Sequence, residues 1–144
     1  MRLDSESGRS LNIVVVDDDP DILHIHSRYI SLLGHKAVAF ASPERAISYL
    51  MDHKNSADLI ITDYHMPCIN GVELLSRLRT SGVETPAIIL TSAPSEVTNA
   101  EYSTFRTPVI AKPVKMQELN RHILSFFKTN ADVESLIHRS ADAL

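Results

Sequence analysis

Asp58-Leu59-Ile60-Ile61-Thr62-Asp63-Tyr64-His65-Met66-Pro67 is the stretch that decides the fold. Its first half is apolar and partly β-branched, the composition of a strand buried on both faces of a parallel sheet. An acid directly after such a run, Asp63, falls at the carboxyl end of the strand. In open α/β sheets that edge is where ligands bind. Pro67 cannot extend a central strand, and Gly71 tolerates backbone angles that other residues resist, so residues 66–71 read as a shaped loop.

On either side the same alternation recurs. Residues 11–16, Leu-Asn-Ile-Val-Val-Val, form a strand that runs into Asp17-Asp18-Asp19-Pro20. Asp19 is suited to cap a helix and Pro20 to its first position. Ile22, Leu23, Ile25, Tyr29, Ile30, Leu32 and Leu33 then give an apolar stripe at helical spacing, closed by Gly34. Residues 36–41 are a second strand, and Ser42-Pro43-Glu44 repeats the start signal for a helix through Ala46, Ile47, Leu50 and Met51. After the central strand, Gly71 to Thr80 is a helix with Val72, Leu74, Leu75 and Leu78 apolar, ended by Ser81-Gly82. Residues 86–91 are a fourth strand, 95–103 a helix poor in apolar residues, and 108–111 a fifth strand before Lys112-Pro113. Residues 115–128 are a last helix, carrying Met116, Leu119, Ile123, Leu124, Phe126 and Phe127.

Five βα units with short connections imply right-handed crossovers and one doubly wound, five-stranded parallel sheet covered on both faces. Residues 1–10, polar and serine-rich, are expected to be a flexible leader, 11–128 the single domain, and 129–144 a tail. In the tail, Val133, Leu136, Ile137 and Leu144 leave two readings. One is a solvated end or linker; the other is a helical extension through which two copies dimerise.

Composition narrows the function. Of 144 residues, 44% are apolar, enough for a sizeable core, and the net charge of −4 gives no basis for general nucleic-acid or acidic-membrane binding. The absence of Trp and the 6% aromatic content argue against a stacking platform for bases or sugars. No apolar run approaches the ~18–20 residues that span a bilayer, and residues 1–10 lack the apolar core of a secretory signal. The single cysteine, Cys68, excludes an intrachain disulfide, which suits a reducing cytoplasm.

The chemistry lies in what the strand ends bring together. Strand one delivers Asp17 and Asp18, strand three Asp63, strand four Thr91 and strand five Lys112. In a parallel sheet these ends share one edge. Carboxylates within ~4–6 Å of one another repel unless a cation neutralises them. Magnesium does so with one or two carboxylates, several waters and a phosphate. An Asp carboxylate is a covalent phosphoryl acceptor. Its transition state spreads charge over three equatorial oxygens, which the ion, the Lys112 ammonium and the Thr91 hydroxyl can each meet.

These motifs resemble the receiver domain of two-component response regulators. Val15-Val16-Asp17-Asp18-Asp19-Pro20, Asp63-Tyr64-His65-Met66-Pro67 with Gly71, the strand-ending Thr91, and Lys112-Pro113 occur in that family's order and nearly at its spacing, from about Leu11 to Phe127. The resemblance implies a flavodoxin-like sheet of order 2-1-3-4-5 and phosphorylation on Asp63 by a sensor histidine kinase or histidine phosphotransfer protein. It implies magnesium held by Asp18, Asp63 and the backbone carbonyl of His65, with Asp17 acting through water. Thr91 would be the switch hydroxyl, Lys112 the phosphate-pairing lysine, and the Lys112–Pro113 bond cis. The protein would then be a cytoplasmic signalling receiver rather than an enzyme, switching a surface read by a downstream protein or output domain. Direct nucleic-acid binding by this chain is not expected.

Other readings stand beside these. Asp19 is read as a cap before it is read as a ligand, and Cys68 as a loop residue before a redox group. His24 and His26, two apart on a helix, do not share a face, so no zinc site is read there. The family usually carries an aromatic three residues before the lysine, where this chain has Val109. A receiver-like module that binds independently of phosphorylation is therefore the first alternative. A magnesium-dependent phosphohydrolase is the second, disfavoured because His65 occupies the place where that class carries a second acid.

Overall fold

The β-branched run after Asp58 forms β3 (Leu59–Asp63), buried at every residue. It lies at the centre of a five-stranded parallel sheet of order β2-β1-β3-β4-β5, with β1 Asn12–Val16, β2 Lys36–Phe40, β4 Ala87–Thr91 and β5 Val109–Ala111. This computed structural model describes residues 10–54, 56–97 and 107–127. The chain divides into two units, Met1–Val114, which carries the sheet, and Lys115–Leu144.

Alternation along the strands sorts the core of the first unit. Val14, Val16, Ile60, Ala87 and Ile89 form one apolar cluster with Ala46 and Leu50 of α2 (Pro43–Asp52) and with Leu74, Leu75 and Leu78 of α3 (Gly71–Thr80). The intervening residues Ile13, Val15, Leu59, Ile61, Ile88 and Leu90 are equally buried and face the other side. There α1 (Pro20–Leu32) lies along β1 and β2. Each buried Val, Leu or Ile side chain contributes about 1.5–3 kcal/mol on leaving water, which explains why the uninterrupted apolar runs form the inner strands.

Local chemistry sets the helix ends. Asp19 accepts from the backbone N–H of Asp21 at 2.9 Å and of Ile22 at 3.4 Å, so it caps α1 as expected. Ser42 and Asn70 do the same for α2 and α3 through Arg45 and Glu73. At the other end of α1, Gly34 takes φ 92, with Gly34 N–H donating to Ser31 O and His35 N–H to Ile30 O. Gly82, φ 85, closes α3 with the equivalent pair of bonds. These paired bonds satisfy the last carbonyls of each helix and need a residue that tolerates the left-handed region.

The second unit contributes the helix Met116–Phe126, whose buried residues Leu119 and Ile123 lie one turn apart. Lys115 stands at its cap without a side-chain bond. The expected helix over 95–103 is replaced at its start by a 3-10 turn, Pro94–Glu96, because Pro94 and the polar run after it give no apolar stripe to bury. Residues 98–103 of that span, nearly all of the 1–10 leader and the 129–144 tail lie outside the described residues. No helix among the described residues is long and apolar enough to cross a membrane.

A Cβ at Gly82 would meet only the Lys54 Nζ, at 3.6 Å, so substitution there tests the backbone angle alone. Gly82→Ala is expected to lower unfolding stability by about 1–2 kcal/mol, measured by urea denaturation, with the circular dichroism of the folded state unchanged.

Candidate functional site

The register of the sheet brings five of the residues selected from sequence to one edge. Val16 pairs with Thr62, Asp63 with Leu90, and Thr91 with Ala111, so Asp17, Asp18, Asp63, Thr91 and Lys112 all stand at or just past a strand's carboxyl end. Carboxylate oxygens of Asp17, Asp18 and Asp63 lie within 4.8 Å of one another. Asp17 and Asp63 are buried and Asp18 is exposed. From β5 at the edge of the sheet, Lys112 reaches the same cluster. Its Nζ donates to Asp17 Oδ2 at 3.0 Å and pairs with Asp63 Oδ1 at 3.1 Å. The Lys112–Pro113 bond is cis. Thr91 is fully buried, and its Oγ1 accepts from the Ala93 N–H at 3.1 Å.

Three carboxylates face one ammonium, and the imbalance is visible in the proton affinities. Burial pushes the Asp63 carboxyl above its ordinary value, and Asp17 and Asp18 add to this, while Lys112 opposes it. Burial alone would lower the Lys112 ammonium, but its hydrogen bond and attraction to Asp17, with those to Asp63, outweigh that and raise it. Lys112 therefore stays charged at neutral pH. Behind the pair, His26 is buried on α1, and burial together with the charge of Lys112 holds its imidazole below the usual value. His24, two residues earlier, is exposed, as the helical spacing required.

The loop after Asp63 is fixed from several sides. Ile69 is buried and Met66 packs against the core cluster. Ile69 N–H donates to Pro67 O at 2.9 Å, closing a γ-turn around Cys68, which takes φ 74. Gly71 N–H donates to Tyr64 O at 2.8 Å. The reason for Gly71 differs from the one the sequence suggested. Its φ is not in the left-handed region, and the strained residue is Cys68. What requires glycine is space, because a Cβ there would lie 2.7 Å from the Asp63 carbonyl oxygen.

His65 does not stand alone at the rim. Its Nε2 pairs with Glu96 Oε2, joining the loop after β3 to the turn after β4, and its ring meets Tyr64 edge-on at 5.0 Å. Glu96 was not singled out from sequence; a lone glutamate 31 residues from its partner gives no local signal. Val109 is half-buried on β5 and packs against the same apolar cluster as α2 and α3. Asp19 stays a cap outside the carboxylate cluster, and Cys68 is exposed and unpaired with any other cysteine.

With this geometry in place, comparison with known proteins identifies the class. The model of the response regulator receiver domain matches residues 13–124. The chain is 34% identical over 117 residues to the heme response regulator HssR of Staphylococcus saprophyticus, covering 80% of this chain and 50% of that protein. It is 30% identical over 111 residues to the two-component response regulator ARR2 of Arabidopsis thaliana, covering 76% and 17%. The fold superposes with TM-score 0.71 and 22% identity on chemotaxis protein CheY4 of Vibrio cholerae, over 81% of this chain and 98% of that one. It superposes with TM-score 0.77 and 19% identity on the structure of the CheX-CheY-BeF3-Mg2+ complex of Borrelia burgdorferi, over 87% and 95%. The chain belongs to the receiver domain family of two-component response regulators. It spans half or less of the length of the curated relatives named here.

Two outcomes follow from the crowded edge. Gly71→Ala forces the Asp63 carbonyl to move and is expected to cost about 1–3 kcal/mol of stability, read by urea denaturation; an unchanged midpoint contradicts the close approach. The raised Asp63 pKa means that the folded chain holds this proton more tightly than the unfolded chain, whose carboxyl titrates near 3.8. The stability so gained is complete below that value and is lost as the pH rises through the folded-state pKa. In metal-free buffer at neutral pH, Asp63→Asn should therefore melt higher than the parent, with the gap narrowing on acidification. A variant melting lower throughout overturns the sign.

Proposed function

We propose that Asp63 is the phosphoacceptor of this receiver, taking its phosphoryl group from a phosphohistidine on a sensor histidine kinase or histidine phosphotransfer protein. The observation that carries this reading is the Lys112 ammonium held at 3.0 Å from Asp17 and 3.1 Å from Asp63, with Asp18 completing the carboxylate cluster. An all-oxygen donor set of this charge suits a hard divalent cation, and magnesium is the ion proposed. Asp18, Asp63 and the backbone carbonyl of His65 would hold it directly, and Asp17 through water. When bound, such an ion neutralises charge on phosphoryl oxygens.

The chain's own residues then have distinct parts. An Asp63 carboxylate oxygen forms the new P–O bond as the P–N bond of the donor breaks, the bonding pair leaving with the imidazole nitrogen. Lys112, already charged, exchanges its carboxylate partner for a phosphoryl oxygen. Thr91 can release the Ala93 N–H and turn its hydroxyl toward the phosphoryl group, moving the segment that begins at β4's end. The Glu96–His65 pair ties that segment to the Asp63 loop, so a change at either is felt by the other. With Val109 packed in the core cluster, the switch is reported by this β4 segment rather than by a ring at position 109. The surface so altered would be read by a downstream protein or output domain, and the domain acts as a signalling element of the chain 11–128.

Labelling with a small-molecule phosphodonor and magnesium tests the assignment. Asp63→Asn should reduce incorporation to background. Lys112→Ala should slow it by about 10²-fold, the usual cost of removing one electrostatic partner of a transition-state oxygen. Sustained labelling of Asp63→Asn would refute the proposal.

A further inference from the structure

The opposite edge of the sheet holds a second polar site. A groove of about 580 Å³ opens at the amino ends of β1 and β2, lined by His24, Ser27, Arg28 and Ser31 of α1 and by Ser10, Gly34, His35, Lys36 and Ala37. The four α1 residues follow the three- and four-residue spacing of one helix face, so they present a continuous row to the groove. Among the described residues, no carboxylate lines it, in a chain whose net charge is −4. Among the described residues, Arg28 and Lys36 form no ion pair.

The floor is held rigidly. Ser10 Oγ donates to Gly34 O at 2.9 Å, Leu11 N–H to His35 Nδ1 at 3.1 Å, and Lys36 N–H to Leu11 O at 2.8 Å. Against this fixed floor, one group on the helix side is unsatisfied. Ser27 Oγ is buried without a hydrogen-bond partner. A helical serine hydroxyl ordinarily bonds the carbonyl one turn back, and a buried polar atom left unpaired is destabilising. Closed off from solvent, that oxygen belongs to the wall of the groove, and the groove's exposed donors are those of the neighbouring residues.

We propose that this groove binds a small phosphate-bearing molecule. The guanidinium of Arg28 offers a planar fork for phosphate oxygens and the Lys36 ammonium a second charge. The exposed hydroxyl of Ser31 and the imidazole of His24 supply further donors. The volume lies within the ~300–1,000 Å³ of small-molecule sites and exceeds what a lone phosphate fills, which favours a ligand of nucleotide size. The groove and the Asp63 cluster lie at opposite ends of the strands, so the two sites can be read separately.

The test is a ¹⁵N NMR titration of the full chain with inorganic pyrophosphate, without divalent ions so that the carboxylate edge repels the probe. Saturable shifts should be confined to the amides of residues 27–31 and 34–37. The double variant Arg28→Ala/Lys36→Ala should bind at least about tenfold more weakly, the loss of one charge-assisted bond or more. Ser31→Ala should bind about threefold more weakly. Both variants keep native spectra and phosphorylate on Asp63 at the parent rate. Shifts centred on the loop after Asp63, shifts that do not saturate, or a double variant binding within about twofold of the parent would each overturn the proposal.

Discussion

Everything at the carboxyl edge of the sheet depends on one unbalanced interaction: among the described residues, three carboxylates, Asp17, Asp18 and Asp63, face the single ammonium of Lys112. The two bonds of 3.0 and 3.1 Å satisfy part of that charge and leave the remainder unneutralised. Burial sharpens the imbalance, since it raises Asp63 while the paired acids raise Lys112. A site so arranged favours a proton, a metal ion or a ligand that completes it, which is why the edge reads as functional rather than structural.

The rest of the fold can be understood as holding those groups in register. Buried runs in β1, β3 and β4 bring their ends level, and the edge strand β5 presents Lys112 from the side. The loop after Asp63 is braced by Ile69 in the core, by the γ-turn at Cys68 and by the close approach of Gly71 to the Asp63 carbonyl. Displacing that carbonyl displaces the carboxylate with it. The Glu96–His65 pair links this braced loop to the more polar turn beyond Thr91.

Much of this was legible in the sequence because the signals are local. Asp19, Ser42, Gly34 and Gly82 announce helix ends through their own backbone chemistry, and the apolar runs specify strands too buried to be anything but parallel. The site residues were legible because the topology sends every strand end to one edge. What escaped was tertiary. Gly71 suggested an unusual backbone angle, whereas the structure requires its missing Cβ and places the unusual angle on Cys68. Glu96 carries no pattern that points to His65, and Lys115 caps its helix with no capping side chain. The 3-10 turn at Pro94–Glu96 replaced the start of an expected helix because its residues offer nothing apolar to pack.

The central claim is that the crowded, lysine-paired carboxylate at the end of β3 accepts the phosphoryl group. Trapping the acyl phosphate by borohydride reduction after incubation with phosphodonor and magnesium, followed by peptide mass spectrometry, locates the modified residue directly. Reduction to homoserine is expected at Asp63 alone. Modification at Asp17 or Asp18 instead, or a chain that remains unmodified under these conditions, would contradict it.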